Sequence, residues 1–168
     1  MVKKIVVIIV SIVLSVAIFM PKDKLYFLAE EKLSSYGIEI NEKLIEDKLF
    51  ELSLSGLSVF YNGIKVATVD EIHIYTFVVY NRCDIVGLHI DKAIDKNLSE
   101  DDIKASLVYS ILNYKTANIT IKGEDIKADG FISMEKFFIK FDEVNNGLKN
   151  MLIKDKTNGW YYEEKFTK

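Results

Sequence analysis

From Leu49 onward the chain alternates apolar and polar residues with a period of two, the spacing of a strand with one face buried. Phe50, Leu52 and Leu54 set the phase. Gly56 shifts it as a bulge would, and Leu57, Val59 and Tyr61 resume it. Asn62-Gly63 is the strongest hairpin signal in the chain, because both residues accept the positive φ of a type I′ turn. Ile64 and Val66 return on its far side. Ile72, Ile74, Thr76 and Val78 predict a further strand, a turn near Tyr80-Asn81-Arg82, and a strand back through Val86, Leu88 and Ile90. Strands are also predicted at Ala117 to Lys122, Ile126 to Ser133 and Phe137 to Phe141, separated by Gly123-Glu124-Asp125 and Met134-Glu135-Lys136. Leu148, Met151 and Leu152 suggest a short helix, and Asn158-Gly159 turns the chain into Trp160-Tyr161-Tyr162.

Two segments carry a helical period. Leu25, Leu28, Ala29, Leu33 and Tyr36 predict an amphipathic helix over Lys24 to Tyr36, with Gly37 as its C-cap. Ser99 with Asp102 resembles a capping box ahead of Ile103, Leu107 and Ile111. In that second segment Ala105, Leu107, Tyr109 and Ile111 also alternate as a strand would, and periodicity alone leaves both assignments open.

The N-terminus has no period. Ile5 to Met20 is a sixteen-residue apolar run behind Lys3 and Lys4, with only Ser11 and Ser15 polar. At ~1.5 Å per residue it spans about 24 Å, short of a ~30 Å hydrocarbon core unless the flanking lysine stems snorkel. A cleaved signal peptide is the alternative, because Ser15-Val16-Ala17 resembles a cleavage site. The apolar run continues past that site, so the expectation is an uncleaved transmembrane anchor over 1–21. The remainder, 22–168, would be one β-rich domain, with the N-terminus cytoplasmic and the domain periplasmic, although the basic residues Lys3, Lys4, Lys22 and Lys24 set orientation only weakly. The sole cysteine, Cys83, excludes a lipoprotein and any internal disulfide.

Composition narrows the partners. A net charge of -3 and a pI near 5.5 argue against nucleic acid, which needs a basic field. No Gly-x-Ser-x-Gly elbow, phosphate-binding glycine loop, Cys-x-x-Cys or His-Glu-x-x-His occurs, so neither an enzyme nor a cofactor is expected. If residues 79 and 83 pair across the turn, His73 faces His89 and Glu71 faces Asp91. Those four would make a divalent-metal set, but a solvated cluster on the outer face is the expectation, with no metal site.

Several stretches resemble the membrane-anchored periplasmic proteins of the type II secretion system protein N kind, within the AsmA-like group. They are Leu54 to Ala67 (LSGLSVFYNGIKVA), Ala117 to Gly123 (ANITIKG), the strand pair around Gly130, and Gly159 to Glu163 (GWYYE). The layout is also shared with small anchored proteins of flagellar motor scaffolds. The resemblance implies a curved, groove-like antiparallel sheet, and it tips Ile103 to Ile111 toward a strand. The chain is short for that group, which limits the size of any groove.

The fold expected is therefore mainly β: a transmembrane helix, then a curved antiparallel sheet with one or two short helices. The function expected is a non-enzymatic scaffold in an envelope-spanning secretion or flagellar complex, contacting other envelope proteins and inner-membrane lipid, with self-association open. A small lipid-binding β-groove is the alternative. Aromatics with polar handles are enriched at contact hot spots, which makes Trp160, Tyr161, Tyr162 and Phe166 the candidate partner-contact residues.

Overall fold

Alternation from Leu49 onward closes into one antiparallel sheet. The computed structural model describes residues 21–77, 79–91, 102–124, 126–144, 149, 152–155, 157 and 159–166. Helix α1 (Lys22–Ser34) precedes two short strands, β1 (Ile38–Asn41) and β2 (Leu44–Asp47). A meander of long strands follows: β3 (Glu51–Tyr61), β4 (Ile64–Thr76), β5 (Tyr80–Ile90), β6 (Ile103–Ser110), β7 (Thr116–Lys122), β8 (Lys127–Ser133) and β9 (Lys136–Glu143). Then β10 (Ile153–Asp155) and β11 (Gly159–Lys165) complete an eleven-stranded sheet in the order β1-β3-β4-β5-β6-β7-β8-β9-β11-β10, with β2 beside β1 along the outer edge of β3.

The turn chemistry is the one the sequence predicts. Asn62 (φ 49°) and Gly63 (φ 79°) both lie at positive φ, the type I′ signature whose twist suits a two-residue hairpin. Gly37 (φ 78°) ends α1, donating its N–H to the Ser34 carbonyl at 2.9 Å.

Ile103 to Ser110 is strand β6, and its alternation prevails over its helical spacing because both of its edges are paired, to β5 and to β7. The short strands β1 and β2, four residues each, pair along the outer edge of β3, and Ile38-Glu39-Ile40-Asn41 alternates as its strand does. Leu148 and Met151, the core of the suggested C-terminal helix, lie outside the described residues.

Two expectations are corrected. Among the described residues no helix is long and apolar enough to cross a membrane. The helix that precedes the sheet is the thirteen-residue, largely polar α1, so a fold headed by a transmembrane helix and a single-pass inner-membrane location are not supported. The run Ile5 to Met20, on which both rested, lies outside the described residues. The buried side of α1 also differs from the expected one. Leu25, Leu28 and Tyr36 are exposed, and Tyr26 faces the core instead. Lys22 and Tyr26 fix that rotation. Lys22 Nζ lies 2.8 Å from Asp47 and donates to the Leu49 carbonyl at 3.4 Å, while the Tyr26 hydroxyl donates to Glu42 at 3.0 Å. Three polar anchors to β2 and its flanking loops outweigh the apolar stripe.

The densest packing joins Tyr26 to Leu52, Leu54, Leu57 and Val69, with Ile72, Ile74, Ile85 and Leu88 against them. Leu54 is only 1% exposed at its centre. Leu54→Ala should therefore cost about 2–5 kcal/mol through lost transfer energy and a residual cavity. Urea denaturation checks this: the midpoint should fall while the slope stays unchanged.

Candidate functional site

Register converts alternation into two chemically distinct faces. Because directly paired residues point to the same side, apolar rows can be followed strand by strand. One row is Leu52, Ile74, Cys83, Leu107, Ile119, Gly130, Ile139 and Tyr162, each paired with the next across eight strands. The next is Leu54, Ile72, Ile85, Ala105, Ile121, Ala128, Phe141 and Trp160. Neither contains a charged or strongly polar residue. At ~4.8 Å between strands, seven spacings make a face about 34 Å across.

Keeping those rows on one side requires a correction within the strands. Apolar positions are separated by three residues, not two, at Leu54/Leu57, Val69/Ile72 and Ile85/Leu88. A transverse crease through Gly56, Asp70 and Gly87 absorbs the extra residue, in line with the phase shift the sequence shows at Gly56. Gly56 (φ 64°) and Gly87 (φ 67°) adopt the left-handed conformation there. A Cβ on Gly87 would also collide with the Asp70 carboxylate, so the position is closed to a side chain.

Small residues hollow the middle of the face. Ala105, Ala128 and Gly130 sit among Ile119, Ile121 and Ile139, and a Cβ on Gly130 would lie 2.7 Å from the Ile139 Cα. Among the described residues the only α-helix is α1, and the core it joins involves β3 and β4. Leu107 and Ile132 on the apolar face are each 36% exposed. The side-chain oxygen of Asn81, beside Tyr109 in the neighbouring row, is buried with no hydrogen-bond partner.

The opposite face is polar. Its matching row runs Ser53, His73, Asp84, Ser106, Thr120, Asp129, Lys140 and Tyr161. A depression of about 320 Å³ there is bordered by His73, Arg82, Lys104 and Thr120, each of which has a carboxylate partner. Arg82 donates to Asp84 at 2.8 Å and Thr120 to Asp129 at 3.0 Å.

The expected pairing of the histidines is corrected. His73 faces Asp84, His89 faces Thr68, and Glu71 faces Val86. The turn falls at Phe77 to Tyr80, where those two backbones exchange hydrogen bonds of 2.9 and 3.3 Å. That is earlier than Tyr80-Asn81-Arg82, so every later pair shifts. Sequence signals for the turn are weak because it contains no glycine or proline.

His73 is instead held by two carboxylates, with Nδ1 2.7 Å from Glu51 and Nε2 3.0 Å from Glu71, and its ring stacked on Tyr75 at 6.3 Å. With both carboxylates ionised, the two contacts can both be hydrogen bonds only in the imidazolium form, in which each ring nitrogen donates. Burial by itself lowers the His73 pKa, but the hydrogen bonds and charges of Glu51 and Glu71 outweigh it and raise the pKa above the ordinary 6.5. Among the described residues no group of three or more His, Cys, Asp or Glu is arranged to hold a metal ion.

The aromatic tail divides between the faces. Trp160 and Tyr162 end the two apolar rows, and Lys154 Nζ lies 5.0 Å above the Trp160 ring. Tyr161 points to the polar side and stacks on Phe138, which stacks on Phe131, each at 5.6 Å. Phe166 follows β11, exposed, its N–H bonded to the Glu135 carbonyl. The four residues therefore do not form one patch. Cys83, half-buried in the apolar row, has its thiol pushed up to about 11 by burial and the Asp84 charge, so it is no nucleophile at neutral pH.

No family model, no curated protein and no solved structure matches the chain.

The His73 clamp makes stability depend on pH with a definite sign. A raised folded-state pKa contributes stability that is complete below about 6.5 and is lost as pH rises through the folded value. Melting temperature should accordingly fall between pH 6 and pH 9, and His73→Gln should flatten that decline. An unchanged slope in the variant would show that other groups cause it.

Proposed function

We propose that the chain is a non-catalytic binding protein whose apolar sheet face takes a long acyl chain. The observation that carries this reading is the pair of uninterrupted apolar rows across eight strands, with part-exposed members and a floor of alanine and glycine. An apolar face of this extent is costly to leave in water, at roughly 25 cal/mol per Å². Its ~34 Å width exceeds the length available to one leaflet's acyl chains, about half of a ~30 Å core. Shape and apolarity are enough for such a ligand. The Asn81 oxygen is a buried side-chain acceptor left without a partner beside the face, suited to a hydroxyl or a protonated carboxyl at the chain's head.

A second reading, a scaffold that binds another protein, has its own support. β10 pairs only with Gly159 to Tyr161, so the outer edge of Tyr162 to Lys165 has no strand against it among the described residues. An added strand from a partner would satisfy that backbone. The two readings differ in what is recovered when the protein is purified in mild detergent: bound lipid in the first, a stoichiometric protein in the second.

Trp160 is the only tryptophan and ends an apolar row, so the ligand has a built-in reporter. A brominated fatty acid added below its micellar concentration should quench Trp160 emission with saturation. Leu107→Glu combined with Ile132→Glu, both at part-exposed positions, should weaken that binding by at least about tenfold, or ~1.4 kcal/mol. Unquenched emission, or equal quenching in the double variant, would remove the acyl-chain reading.

A further inference from the structure

The turn tips at the two ends of the sheet differ in composition, although Tyr36, Tyr61 and Ile64 are also exposed at the Asn62-Gly63 end. Antiparallel order places the start of β3, β5, β7 and β9 and the finish of β4, β6, β8 and β11 at one end. Turn tips are normally built from Gly, Asn, Asp, Ser and Pro. At the opposite end the described tips obey that rule, with Asn62-Gly63 between β3 and β4 and Gly123-Glu124 between β7 and β8.

At the first end they do not. Leu112, in the β6–β7 turn, is 91% exposed, and Met134, in the β8–β9 turn, is 82% exposed. Leu49, Val79, Tyr114 and Phe166 are also exposed there, one or more at each turn or strand terminus.

A lysine stands next to these residues again and again. Lys48 precedes Leu49, Lys115 follows Tyr114 with its ammonium 5.9 Å above that ring, and Lys165 precedes Phe166. Lys136 lies two residues beyond Met134. Lys22, where the chain enters the fold just after the apolar stretch Ile5 to Met20 of the sequence, is fixed to Asp47 and Leu49 at the same end.

We propose that this end of the sheet docks onto a lipid bilayer surface, with the apolar tips in the acyl boundary and the lysines at headgroup level. The arrangement favours a bilayer over a protein partner for two reasons. The apolar residues stand on successive hairpin turns along a line, so they can meet one plane together, although Tyr114 and Met134 also border a hollow of about 300 Å³. Leu49, Tyr114 and Phe166 each adjoin a long cationic side chain whose stem is apolar and whose head stays in water, the pattern that lets a residue cross the headgroup layer. Lys48 is paired with Glu46 at 3.3 Å and Lys136 with Glu163 at 3.0 Å, so the docking relies on apolar insertion and works on a zwitterionic surface. No membrane-crossing helix is needed. Docking of this kind is independent of what the apolar face carries.

The test uses the full chain with single cysteines introduced by Leu112→Cys, Met134→Cys and, at the opposite end, Glu124→Cys. All three positions are exposed, and the half-buried Cys83 thiol, raised to about 11, is spared by labelling at neutral pH. Each variant is labelled with an environment-sensitive fluorophore and mixed with phosphatidylcholine vesicles. Emission from positions 112 and 134 should shift to the blue and be quenched by brominated acyl chains, while position 124 stays unchanged. Three results would overturn the proposal. In one, the protein sediments with vesicles while 112 and 134 stay in water, which means attachment through another part of the chain. In another, all three positions shift alike. In the third, 112 and 134 are already blue-shifted before vesicles are added, which means that the tips are covered by the chain itself or by a second copy.

Discussion

Strand register is the constraint on which everything else in this molecule depends. Side chains alternate from face to face with a period of two, so a slip of one residue in any strand would carry its apolar set to the wrong side. Eight strands hold two complete apolar rows together only because every ladder from β3 to β11 is in phase. Where the sheet would lose phase, between Leu54 and Leu57, the same extra residue appears in β4 and β5. The crease through Gly56, Asp70 and Gly87 then restores the phase for all three strands at once. A bulge in one strand alone would have split the face.

A single sheet with one apolar face normally buries it against a second layer. Here α1 supplies that layer through Tyr26 over the first strands, where Leu52, Leu54 and Leu57 are the largest fully buried side chains among the described residues. Farther along, the same rows continue without a described helix above them; Leu107 is 36% exposed, while Ala128 and Ile139 stay buried. Burial across the apolar face is therefore uneven: closed under Tyr26 and again at Ala128 and Ile139, and more open at Leu107 and Ile132. On the polar face the charges pair in place, as in the Glu51–His73–Glu71 clamp and Arg82–Asp84. They hold neighbouring strands together on that side of the sheet.

The sheet is also polarised along its strands. Apolar turn tips gather at the end where α1 begins, and glycine-containing polar turns stand at the other. Turns contribute little to the core, so their composition is free to follow function. Exposed leucine and methionine at such positions bring no folding benefit.

Much of the architecture is legible in the residues themselves. Period-two alternation, the Asn62-Gly63 turn and the phase shift at Gly56 each express a local backbone preference, and local preferences survive unchanged into the fold. What one strand cannot encode is its partner. Register across the Phe77–Tyr80 turn depends on where that turn closes, and without glycine or proline to mark it, alternation alone pairs the histidines wrongly. Trp160, Tyr161, Tyr162 and Phe166 resemble one cluster because they are near neighbours in sequence; the pleat sends Tyr161 to the other face and leaves Phe166 beyond the strand. The rotation of α1 escapes its own pattern for a related reason: the apolar stripe is local, whereas Lys22–Asp47 and Tyr26–Glu42 are tertiary contacts. That this chain forms strands with one apolar side follows from its residues alone. How those sides align into one continuous face is a property of the assembled sheet, because the alignment is set by pairing between residues far apart in the chain.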